Sequence, residues 1–207
     1  MRKSSEYFQA YGLTIASDVA LPELRPAAEV EVPDLTIAEV PAGVTPPKDP
    51  AFDHENLKVS ADQIWLHIPQ IADLLIAGGS RVSYSRAEGA DDASLRAFLL
   101  GSGLGGTLIK RGHTVLHGNA IEVGNHCLMC VGVSGAGKST TALGLLKRGY
   151  RVVADDVCPL DADGHVLPGM PHIKLWEDAA QALCVETGGM PRVTPAYPKV
   201  RMPLGDQ

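Results

Sequence analysis

Over the first ninety positions, apolar residues alternate with polar ones in short runs broken by glycine and proline. Gly12-Leu13-Thr14-Ile15-Ala16, Leu35 to Val40, Leu57-Lys58-Val59, Ile64 to Ile68, Leu74-Leu75-Ile76 and Val82-Ser83-Tyr84 have the two-residue period of half-buried strands. Ser60-Ala61-Asp62 and Gly78-Gly79-Ser80 carry turn chemistry between them. Pro41 to Pro50 holds four prolines, which excludes regular structure and predicts a loop or tether. Residues 1–90 therefore read as a small, mostly antiparallel β-rich domain. Trp65, His67 and Tyr84 fall on these strands, where alternation makes packing the reading.

The period changes at Asp91. Leu95, Phe98, Leu99, Leu108 and Ile109 recur at broadly helical spacing behind Asp91-Asp92, and the glycines from 101 to 106 predict a break near Gly103. Residues 91–112 are expected to bridge two halves, the second being 113–207. There, Thr114 to Val123 predicts a strand, Gly124-Asn125 a hairpin turn, and Cys127 to Val131 a buried strand. Thr141 to Arg148 reads as a helix closed by Gly149, and Arg151 to Ala154 as a short buried strand ending at Asp155-Asp156. Asp161 to Gly164 suggests another hairpin turn, Pro168 to Pro171 a loop, and Trp176 to Cys184 a short helix.

Between the second strand and the helix lies Gly132-Val133-Ser134-Gly135-Ala136-Gly137-Lys138-Ser139, which fits G-x-x-x-x-G-K-[ST] at every defined position. Three glycines let the backbone curl so that its N–H groups converge on phosphate oxygens, and the helix behind adds its positive end. In such a loop Lys138 reaches the β- and γ-phosphates and the Ser139 hydroxyl binds Mg²⁺. Residues 132–140, including Thr140, are thus the expected nucleotide-binding segment. If the strands around it form a parallel sheet, the carboxyl end of the next strand brings Asp155-Asp156 to the same edge. One carboxylate can then serve Mg²⁺, while the other, its proton affinity raised by a like charge, takes a proton from an attacking hydroxyl.

Composition narrows the possibilities little further. The 207 residues suffice for a core, and a formal net charge of −6 argues against nucleic acid and anionic membranes as partners. The opening Met1 to Glu6 lacks an apolar signal core, and no stretch reaches the roughly 18 apolar residues of a membrane helix. A cytoplasmic protein is expected. Cys127 and Cys130 form C-x-x-C within a strand, on opposite faces, and with Cys158 and Cys184 they read as buried apolar fillers. The histidines show no metal-ligand spacing.

Leu116-His117-Gly118, the hairpin, the Gly132 to Ser139 loop, and Lys147-Arg148-Gly149-Tyr150-Arg151-Val152-Val153-Ala154-Asp155-Asp156 together resemble the core of the HPr serine kinase/phosphorylase family. The resemblance spans roughly residues 113–157. It implies an α/β phosphate-loop domain of the HPr-kinase, PEP-carboxykinase-like type behind the β-rich domain. It also implies transfer of the γ-phosphoryl group of ATP, with Mg²⁺, to a serine hydroxyl of a peptide or small protein. By this resemblance Asp155 matches the catalytic aspartate, Asp156 the acidic residue near the metal, and His117 a histidine close to the reacting phosphate. Thr140 stands where the family often has an acidic residue, which removes an extra metal contact. Tyr11 to Leu24 is similar instead to small HPr-kinase-like proteins of lasso peptide biosynthesis, implying a precursor peptide as acceptor. HPr itself, or nucleotide-dependent peptide binding without catalysis, are the alternatives. Against the family, the sequence after Leu204 is short, so a C-terminally shortened homologue, a truncated product, or a domain completed by homo-oligomerisation is expected.

Overall fold

The computed structural model describes residues 5–205; Met1 to Ser4, part of the opening read above as lacking a signal core, lie outside the described residues. The chain divides into two compact units, Met1–His113 and Thr114–Gln207. No helix among the described residues is long and apolar enough to cross a membrane.

The first unit is built on a nine-stranded sheet in the order β3-β1-β2-β4-β9-β8-β7-β6-β5. Six strands fall where alternation predicts them: β2 (Leu13–Ser17), β4 (Leu35–Glu39), β6 (Leu57–Val59), β7 (Gln63–Ile68), β8 (Ala72–Ala77) and β9 (Arg81–Arg86). Neighbours pair antiparallel except β2 with β4 and β4 with β9, which are parallel. Three strands escape the sequence pattern. Of these, β1 (Glu6–Ala10) joins β2 through Tyr11 and Gly12, both left-handed as a tight hairpin turn requires. The other two, β3 (Arg25–Pro26) and β5 (Phe52–His54), are short exposed edges with no buried face to set a period.

The segment expected to bridge the halves is part of this first unit. Asp91 caps α1 (Asp92–Phe98), its carboxylate accepting from the Ser94 N–H at 2.8 Å. Instead of breaking near Gly103, the chain winds through one wide π turn over Leu99–Gly103 and continues as α2 (Leu104–Lys110). The reason is packing: Leu95, Leu99, Leu104 and Leu108 are all fully buried. Gly106 lets the helix approach the sheet, since a Cβ there would lie 2.6 Å from Cδ1 of Ile76.

In the second unit a three-stranded sheet has the order β11-β10-β12, with β10 (Thr114–Val123) in the middle. The hairpin to β11 (His126–Val131) turns at Gly124-Asn125 as expected. Both β11 and β12 (Val152–Leu160) are antiparallel to β10, which corrects the parallel arrangement: the two outer strands run the same way with β10 between them. Nor is β11 buried. It is an edge strand, with Leu128 and Val131 about half exposed, so its apolar run marks a strand without marking the core.

The core gathers instead Ile121 of β10, Ala142 and Leu143 of helix α3 (Lys138–Leu146), and Val152 of β12. Ile173 and Leu175 of β13 (His172–Trp176) and Val200 of β14 (Lys199–Pro203) complete it; these two strands form a separate antiparallel pair. After β13 comes a short helix, α4 (Glu177–Ala182). The cysteine reading is corrected in part. Only Cys158 is buried; Cys127 and Cys184 are exposed and Cys130 is half-buried.

A candidate phosphate site with an aspartate pair

One rung of the small sheet explains why the motifs meet. Gly118 of β10 is in register with Val131, the last residue before the glycine loop, and on its other side with Asp156. The loop and the acidic pair therefore start two strand spacings apart, about 10 Å. Gly118 is needed for this closeness. A Cβ there would collide with the Cys130 carbonyl oxygen and come within 3.1 Å of Val131 Cγ1.

The loop then turns into α3. Gly135 and Gly137 have φ of 82° and 85°, conformations closed to most side chains. Gly137 is the residue before the first helical turn, so the free N–H groups of α3 open toward the loop. Lys138 folds back on the loop, its ammonium donating to the carbonyls of Gly132 at 2.7 Å and Val133 at 3.0 Å. That contact holds a cation at the loop's mouth, where an anionic ligand's oxygens can replace the carbonyls.

The acidic pair does not sit at the end of a strand. Asp155 and Asp156 lie in mid-β12, where successive side chains ordinarily point to opposite faces. Asp156 is left-handed, with φ of 70°, a conformation that Asp tolerates better than most residues. This local twist suspends the alternation, and both carboxylates line one cavity of about 310 Å³. Ser134, Gly135, Gly137, Lys138, Ser139 and Thr140 line the same cavity, as do His117 and Gly118. Gly132, Val133 and Ala136 lie in the loop away from that lining. The His117 ring meets the Asp156 main-chain carbonyl at 3.0 Å and the Asp156 carboxylate at 3.5 Å through Nδ1.

The two carboxyls differ sharply. Burial pushes Asp155 up to about 6; the Lys174 N–H, donating to Oδ2 at 2.7 Å, opposes this, and the charge of Asp156 adds to it. At Asp156 burial acts the same way, but the Lys174 ammonium, 2.5 Å from Oδ2, outweighs it with lesser help from Lys199 and His117. Asp156 is accordingly held below the usual carboxylate range. One carboxyl thus takes up its proton at a higher pH than usual, while the other is ionised at neutral pH. Next to Asp155 on its rung lies Asn119, fully buried, its side-chain amide without a hydrogen-bond partner among the described residues.

Sequence reading missed the far wall of the cavity: Trp176, Asp178 and Lys199, with Lys174 behind the aspartates. Lys199 lies over the Trp176 ring, 5.8 Å from its centroid, and Tyr197 meets that ring edge-on. Lys174 left no signal: between Ile173 and Leu175 in a strand, a lysine reads as the solvent-facing member of an alternating pattern, and its burial comes only from the fold.

A glycine loop at a helix N-terminus facing two unlike carboxylates defines a site suited to a phosphorylated ligand and to proton abstraction beside it. Comparison with known proteins finds a likeness over the segment that carries this site. Residues 106–176 match the model of the HPr Serine kinase C-terminal domain. The chain is 44% identical over 61 residues to the HPr kinase/phosphorylase of Clostridium beijerinckii, covering 29% of this chain and 20% of that protein. It is 40% identical over 63 residues to that of Clostridium botulinum, with 30% and 21% covered. The HPr kinase/phosphorylase of Caldanaerobacter subterraneus shares 54% over 41 residues, with 20% and 13% covered. The match thus spans about a fifth or less of the length of these relatives. No solved structure gives a significant match. The likeness to the HPr serine kinase family read from the motifs is therefore met over the segment that carries the loop and the aspartates.

Proposed function

We propose that the second unit is an ATP-dependent serine phosphotransferase of the HPr-kinase type, acting on a peptide or small protein. The observation that carries this reading is the unlike aspartate pair facing the glycine loop across Gly118. The cavity residues suit a magnesium nucleotide: loop amides and Lys138 for the β- and γ-phosphates, and the Ser139 hydroxyl and ionised Asp156 as oxygen ligands for Mg²⁺. ATP supplies the phosphoryl group and Mg²⁺ the charge that neutralises it.

The protein's own work is positioning and proton transfer. Asp155 orients the acceptor serine and takes its proton as the oxygen bonds to the γ-phosphorus. The bond from that phosphorus to the bridging oxygen breaks, and ADP leaves. His117, tied to Asp156 through Nδ1, leaves its other ring nitrogen as the one to meet the reacting phosphate.

For the acceptor, the likeness of Tyr11 to Leu24 to lasso-peptide-associated proteins favours a precursor peptide, whereas the curated relatives are named for HPr. The test is incubation of each candidate with the protein, ATP and Mg²⁺, followed by mass mapping. Phosphoserine on the precursor peptide supports the first acceptor and on HPr the second. Nucleotide bound with neither acceptor modified would replace the kinase reading with a non-catalytic peptide-binding one.

A further inference from the structure

Lys174 touches both members of the aspartate pair. Its main-chain N–H donates to Asp155 Oδ2 at 2.7 Å, and its ammonium pairs with Asp156 Oδ2 at 2.5 Å. The side chain is nine-tenths buried, and that of Asp156 is one-fifth exposed. This contact joins separate elements: Lys174 belongs to β13, which pairs with β14 alone, while the aspartates belong to β12. A single residue therefore fixes the spacing of the two carboxylates and decides which of them is charge-paired.

We propose that Lys174 is a positioning residue for the pair, and that its ammonium is the resident counter-ion a divalent cation must displace from Asp156. Resting on the phosphotransferase reading, this adds a consequence for how metal and nucleotide bind. Paired with Lys174, Asp156 is already neutralised at contact distance, so a bare divalent ion gains little by approaching it. A nucleotide changes the balance, because its phosphates bring further oxygen ligands for the ion. Metal then enters mainly with nucleotide, and the ion takes the place of the Lys174 ammonium at Asp156. The swap is one of hydrogen-bond and ion-pair partners; no covalent bond changes.

The experiment is Mn²⁺ binding followed by electron paramagnetic resonance, with and without ATP, in wild type, Lys174→Met, Lys174→Arg and the double variant Lys174→Met/Asp156→Asn. In the absence of nucleotide, Lys174→Met should bind Mn²⁺ at least tenfold more tightly than wild type. Lys174→Arg, which keeps the cation, should stay within about threefold of wild type, and the double variant should lose the gain. Equal Mn²⁺ affinity in wild type and Lys174→Met, with Mn²⁺–ATP still bound, would overturn the counter-ion role and leave the phosphotransferase reading standing. Failure of wild type to bind Mn²⁺–ATP at all would overturn that reading itself. Should Lys174→Met not fold, the ¹⁵N signal of the Lys174 ammonium in wild type supplies the test. It must move when Mg²⁺–ATP is added, and an unchanged signal with nucleotide bound overturns the proposal.

Discussion

Asp155→Asn should make the protein more stable while disabling it. The carboxyl is almost wholly buried, and its proton affinity is shifted from 3.8 to about 6, chiefly by burial. The folded-state value lies above the unfolded one, so stability is greatest at low pH and declines as pH rises through the interval between them. At pH 8 the full shift of about two units costs about 3 kcal/mol; at pH 5 roughly half of that is present, and at pH 4 little remains. An asparagine keeps an oxygen for the Lys174 N–H without carrying the charge, so the variant should exceed wild type by up to about 3 kcal/mol at pH 8, with the gap closing toward pH 4. The chain has two tryptophans, Trp65 in the first unit and Trp176 in the second. Urea unfolding followed by Trp176 fluorescence in a Trp65→Phe background therefore reports on the second unit alone. A variant that is less stable at pH 8, or a difference independent of pH, would refute the argument that Asp155 is a charge buried at a cost.

Further outcomes follow from the same geometry. The rate of phosphoryl transfer should fall as pH drops through about 6, where Asp155 takes up its proton, and Asp155→Asn should lower the rate about 10²–10⁴-fold while leaving nucleotide affinity largely intact; a pH–rate profile flat from 5 to 7 would remove Asp155 from the role of base. Gly118→Ala pushes a methyl group against the Cys130 carbonyl and should cost about 1–3 kcal/mol, read from urea unfolding, and weaken nucleotide binding by separating loop from aspartates. Among the thiols, Cys127 and Cys184 are exposed whereas burial pushes Cys158 up to about 12, so thiol-reactive reagents should label the first two in the native protein and Cys158 only in denaturant.

The strands with one clean buried face were legible because alternation is what burying one face of a sheet imposes. Those at β3 and β5 were not, since two or three exposed residues carry no period. The apolar stretch Cys127 to Val131 was correctly a strand and wrongly buried: a hairpin partner on one side satisfies its backbone while its outer edge stays open. In the glycine loop, Gly135 and Gly137 adopt the left-handed backbone that favours glycine. The acidic pair was readable as a pair. Its common facing was not, since that depends on the left-handed Asp156, and neither was its pairing with Lys174, which is eighteen positions from Asp156 and reaches it only through β13. Sequence spacing reports local geometry well, but contacts between separately folded strands leave no such mark: Lys174 between Ile173 and Leu175 has the pattern of any half-exposed strand.

Mass spectrometry of a lasso-type precursor peptide, and separately of HPr, after incubation with the protein, ATP and Mg²⁺, tests the central claim most directly, with Lys138→Ala as control. The account predicts one phosphoryl group added to a serine of one acceptor, absent with Lys138→Ala. Bound ATP with both acceptors unmodified, or equal modification by the Lys138→Ala variant, would contradict it.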